Sequence, residues 1–87
     1  MSVCIRFAPS WATYVREHSW HPSQKLERRR DGSVELRMEV GGTTELRNWV
    51  LSFGGGAEVL EPESLRDEVA AELERALARY RPGPRGG

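Results

Sequence analysis

The stretch "RRRDGSVELRMEVGG" (Arg28–Gly42) decides how the rest of the chain must fold. Val34, Leu36, Met38 and Val40 alternate with Glu35, Arg37 and Glu39. That period of two is the mark of a strand with one face buried and one wet. Asp31-Gly32, just upstream, is a strong short-range hairpin signal, because both residues tolerate the positive φ that a tight two-residue turn demands. The segment before the turn, Gln24–Arg30, is therefore the antiparallel partner, with Leu26 as its inward residue. Gly41-Gly42 ends the second arm.

Working outward, Val3, Ile5 and Phe7 alternate with Cys4 and Arg6 and predict a first strand. Cys4 and Arg6 face away from its core side. Pro9 stops that strand and suits the first turn of a helix. Trp11, Tyr14, Val15 and His18 then fall on one helical stripe. Downstream, Leu46, Trp49, Val50 and Phe53 follow at i, i+3, i+4 and i+7 and predict a second helix, closed by Gly54-Gly55-Gly56. Ala57–Leu60 reads as a short strand. Pro62 opens a long final helix with Leu65, Val69, Leu73, Ala76, Leu77 and Tyr80 on one stripe. The order is β-α-β-β-α-β plus a C-terminal helix, an α+β, ferredoxin-like sandwich with helices on one face of an antiparallel sheet. It occupies residues 1–80, with "RPGPRGG" (81–87) as a flexible Pro/Gly-rich tail.

Composition narrows the function classes. The chain has 87 residues, 38% of them hydrophobic and 30% charged, with equal numbers of acids and bases, so it is one soluble domain with a small core. A formal net charge of zero supplies no bulk attraction to nucleic acid. No apolar run is long enough to span a membrane. The single Cys4 forms no internal disulfide and suits a reducing cytoplasm.

"YVREHSWHPSQ" (Tyr14–Gln24) crowds two histidines, a tryptophan and a proline into eleven residues. Zinc needs four converging nitrogen or sulfur ligands. Only His18, His21 and the distant Cys4 are on offer, so neither a metal nor another cofactor is expected. Catalysis is not expected either, because no nucleophile has an activating base beside it. The triple glycine follows a helix rather than opening one, the wrong polarity for a phosphate loop. An RNA-binding sheet needs exposed aromatics on its open face. Here that face carries Arg6, Lys25, Glu27, Arg29, Glu35, Arg37, Glu39 and Glu58. One basic cluster stands out, Lys25, Arg28, Arg29 and Arg30 beside the hairpin. It reads as a charged edge strand and as a candidate anion-contact patch.

"YVREHSWHPSQ", "DGSVELRMEV", "ELRNWVLSFGGGAEVLEPESLRDEVAAEL" and the closing Tyr80 together resemble the C-terminal extension domain of bacterial WYL-domain transcriptional regulators. The resemblance runs from about Val3 to Tyr80, and several spaced motifs occur in the right order. It implies a non-catalytic regulatory module that mediates dimerisation and helps to shape an effector site. Its partners would be a WYL domain of the same or a partner chain and a second copy in a homodimer. A single-stranded nucleic acid is the implied effector. No helix-turn-helix or WYL domain is present, so the chain is expected to be a fragment or truncated form of such a regulator. Arg16, His18, His21 and Gln24 are the candidate contacts to the WYL domain or effector. The alternative is a free-standing ferredoxin-like domain that binds a small molecule, since this architecture hosts many functions.

Overall fold

The computed structural model describes residues 1–81. The expectation of a flexible tail falls, from residue 82 on, outside the described residues. The elements run β1 (Ser2–Phe7), α1 (Pro9–Arg16), β2 (Lys25–Arg28), β3 (Val34–Glu39), α2 (Thr44–Leu51), a 3-10 turn (Gly54–Gly56), β4 (Ala57–Glu61) and α3 (Glu63–Tyr80). The four strands pair antiparallel in the order β2-β3-β1-β4, the ferredoxin-like arrangement.

Register follows from the alternation. Ile5 stands opposite Leu36 and Val59, and Phe7 opposite Val34, so one face of the sheet is continuously apolar. Leu26 is the residue of β2 that reaches Leu36. The hairpin turns at Gly32, whose φ of +90° only glycine adopts without strain. Asp31 stiffens the turn by accepting hydrogen bonds from the Ser33 N–H (2.9 Å) and hydroxyl (2.6 Å). A register shift lies between Cys4 and Ile5 where β4 meets β1.

The helices cover the apolar face. Val3, Ile5, Phe7, Val15, Leu36, Val50 and Leu65 are almost fully buried between the two layers. Each removes apolar surface worth roughly 1.5–3 kcal/mol from water. Phe7 sits among aromatic edges, with Trp49 at 5.5 Å and Phe53 at 5.0 Å between ring centroids. Trp11 lies against Phe53 (5.0 Å) and over Gly56. A Cβ at Gly56 would run into the indole, so glycine there admits the ring.

Four details differ from the sequence expectation. α1 ends at Arg16, two residues before His18. Its buried residues are Ala12 and Val15, while Trp11 and Tyr14 remain 37% and 43% exposed. The stripe is broader than the contact, because Trp11 and Tyr14 turn toward Phe53, beyond the end of α2. α2 stops at Leu51, so Phe53 reaches the core from the turn that follows. Cys4 does face away from the helices, beside Glu35, but it is fully buried there, and burial pushes its thiol pKa up, which makes it a poor nucleophile. The stripe of α3 is continuous, yet only Leu65 and Val69 are buried by the sheet. Leu73, Leu77 and Tyr80 are 42%, 47% and 84% exposed.

The open sheet face is laced by ion pairs rather than aromatics. Glu35, 3% exposed, accepts from Arg29 Nη2 (2.7 Å), Arg29 Nε (2.8 Å) and Arg6 Nη2 (3.0 Å). Glu27 pairs with Arg29 at 3.3 Å, and Arg37 with Glu61 at 3.5 Å. Among the described residues, no helix is long and apolar enough to cross a membrane.

Candidate functional site

The Trp20–Gln24 turn is built by hydrogen bonds that its own residues supply. α1 ends at Arg16, leaving carbonyls of its last turn without helical partners. Trp20 fills one gap: its indole N–H donates to the Val15 carbonyl at 3.1 Å. The His18 ring donates from Nδ1 to the Tyr14 carbonyl at 2.7 Å. His18 then lies near-parallel to Trp20, 5.2 Å between centroids, and Trp20 meets Trp49 at 4.8 Å. The turn is thereby fastened to both α1 and α2.

Gln24 is the bracket of the turn. Its Oε1 accepts from the backbone N–H groups of Trp20 and His21, and its Nε2 donates to the His18 carbonyl at 3.3 Å. His21 Nδ1 accepts from the Ser23 N–H at 3.1 Å and lies 2.8 Å from the Ser23 hydroxyl oxygen. Ser23 Oγ in turn accepts from the Glu39 N–H at 2.9 Å, tying the turn to the end of β3. "WHPSQ" is thus a self-satisfied connector. The polar atoms that made it look chemical are largely occupied by backbone.

The eight candidate residues fall into four places. His18, His21 and Gln24 share the turn. Lys25 and Arg29 belong to the open face, where Lys25 stands across from Arg37 and Arg29 is committed to Glu35 and Glu27. Arg16 and Arg28 both line a cleft between α1 and the β2–β3 hairpin that also includes Thr13 and Gly32. Arg30 lies with Arg28 and Arg29 in a neighbouring polar groove that reaches Asp31. The linear basic run is therefore divided by the sheet.

Sequence reasoning missed two features. Glu35, expected on a solvated face, is buried and holds its carboxyl pKa at about 2, because Arg29 and then Arg6 hydrogen-bond its charged form against the cost of burial. The signal was available, since the hairpin and the first strand place Arg6 directly across from Glu35. The second feature is an apolar groove at the foot of the turn, between Trp20, Met38, Val40, Leu46 and Trp49, with Glu45 on its rim. No local pattern announces it, because its walls come from three separate elements.

Comparison with known proteins agrees with this architecture. The family model of the WCX domain matches residues 1–77. Protein PafC of Mycobacterium tuberculosis, from strain CDC 1551 / Oshkosh and from strain H37Rv, is 34% identical over 79 residues. That alignment takes in 91% of this chain and 24% of the relative, so the chain spans about a quarter of the length of the relatives it matches. The chain belongs to the WCX family, the C-terminal extension domain of bacterial WYL-domain transcriptional regulators.

Proposed function

We propose that this domain serves a WYL-type transcription factor in the cytoplasm as a non-catalytic module that dimerises the regulator and contributes to its effector site. The observation that carries the dimerisation half is the C-terminal part of α3. Leu73, Leu77 and Tyr80 continue the core stripe beyond the last turn that the sheet covers, and they remain exposed. A helix keeps such a stripe when something else covers it. Glu72, Glu74, Arg75 and Arg79 flank the stripe with both signs of charge, which suits pairing with a second copy of itself.

The effector half rests on the turn and on the flank of α1. Arg16, His18, His21 and Gln24 lie at the margin of the domain, and a WYL domain beside them would complete a pocket. Of these, His18 and Gln24 are already fixed by hydrogen bonds to backbone and His21 by Ser23, which offers a preorganised surface at little ordering cost.

The test uses the full regulator that carries this domain. Leu73→Glu with Leu77→Glu should weaken its dimer about a hundredfold by sedimentation, the effect of roughly 3 kcal/mol. The circular dichroism of the domain should hardly change, because both side chains are exposed in the monomer. A dimer of undiminished strength would place self-association elsewhere and sink the reading.

A further inference from the structure

The cleft between α1 and the hairpin is lined by basic, apolar and small side chains. Arg16, Arg28 and Arg29 line it, together with Thr13 and the backbone at Gly32, and none of its lining side chains is a carboxylate. Its volume of about 390 Å³ lies within the range of small-molecule clefts, roughly 300–1,000 Å³. The hairpin tip leans on the start of α1 closely enough that a Cβ on Gly32 would meet the Pro9 ring at 3.4 Å. The wall of the cleft is thus fixed by backbone contact rather than by loose side chains.

The three arginines are not equivalent. Arg29 is saturated by Glu35 and Glu27. Arg16 and Arg28 form no ion pair among the described residues, a property they share with Lys25, Arg30, Arg47 and Arg79, whereas Arg29 beside them is paired. Arg16 goes further: its Nε is buried and has no acceptor, a state it shares with Arg47 Nε outside this cleft. A buried N–H without a partner is costly, and folds rarely keep one without reason. The negative end of the α1 dipole helps to hold the Arg16 guanidinium at the last turn of the helix. Two arginines and a threonine lining one cleft supply the donor types that a tetrahedral oxyanion takes.

We propose that Arg16 and Arg28 form an oxyanion site for a phosphate group, carried either by a small phosphomonoester or by a phosphodiester backbone. The site deepens the effector reading above and rests on it for its role, though not for its chemistry. Arg30, in the adjoining groove, extends the positive surface in the direction a longer anion would take.

The full chain is titrated with inorganic phosphate, with a nucleoside monophosphate and with a short single-stranded oligonucleotide lacking terminal phosphates. The arginine Nε–H signals are followed by NMR. Inorganic phosphate is expected to shift the Arg16 and Arg28 signals together. Arg16→Gln with Arg28→Gln should weaken its binding about tenfold or more, whereas Arg37→Gln on the open face should leave it unchanged. Arg16→Lys keeps the charge but loses the fork, and should fall between. Tighter binding of the monophosphate assigns the site to a small ligand, and tighter binding of the oligonucleotide assigns it to a backbone. Equal phosphate affinity in wild type and the double variant, both with unchanged melting curves, would overturn the site. Binding is read apart from transcription, so a site that binds without altering the regulator's response would refute the sensing role and leave the chemistry standing.

Discussion

Phe7→Ala is expected to destabilise the domain by about 3–5 kcal/mol, the usual range for emptying a large aromatic site in a core. The side chain is fully buried, and its ring contacts the edges of Trp49 and Phe53. Those edge-to-face contacts add to plain area burial, by roughly 0.5–1.5 kcal/mol each. The cavity would not collapse readily, because Trp49 is also held by Trp20 and Phe53 by Trp11. A domain of this size has a total of only about 5–15 kcal/mol, so the variant should be largely unfolded near body temperature. A urea midpoint shifted by the equivalent of less than about 1 kcal/mol would show that the aromatic cluster repacks.

Glu35→Gln is expected to remove about 2 kcal/mol at neutral pH and to flatten the acid limb of the stability curve. Hydrogen bonds from Arg29 first, and from Arg6 second, lower the carboxyl pKa from an ordinary 4.5 to about 2. One pKa unit is worth about 1.4 kcal/mol, so that shift corresponds to roughly 3 kcal/mol. The arginines are 41% and 44% exposed, and solvent screening reduces the figure. Because the folded value is depressed, this stability is fully present above pH 4.5 and is lost as pH falls toward 2. Wild type should therefore lose stability through that window, and the glutamine variant should lose less and converge with it at the acid end. Parallel acid-denaturation curves would show that the Arg6–Glu35–Arg29 cluster contributes no pH-dependent stability.

The fold was legible where its causes are local. β3 announces itself by strict alternation and the hairpin by Asp31-Gly32, and both stand where these rules put them. α1 was legible as a helix but not in its facing. Trp11 and Tyr14 share an arc with Val15, and only the crossover from β1 to β2 determines which side of that arc rests on the sheet. The length of the α3 stripe misled for a similar reason: periodicity measures the helix, while burial depends on how far the sheet extends beneath it. The candidate site divides in the same way. "WHPSQ" could be read as a turn because proline, serine and glutamine act within a few residues of themselves. That Arg16 and Arg28 line one cleft could not, since twelve positions separate them and the β-α-β crossover brings them to it.

The half-covered final helix has a consequence in time rather than in space. α3 has 18 residues and a length of about 27 Å, but the sheet anchors only its first turns through Leu65 and Val69. A helix that short draws little stability from its own hydrogen bonds. Its distal turns therefore open and close on their own clock, while the proximal turns wait for the whole domain to unfold. α3 is one helix with two lifetimes. Covering Leu73 and Leu77 would lengthen the shorter one, so the amide exchange of this segment would report occupancy of that face while the sheet stays silent.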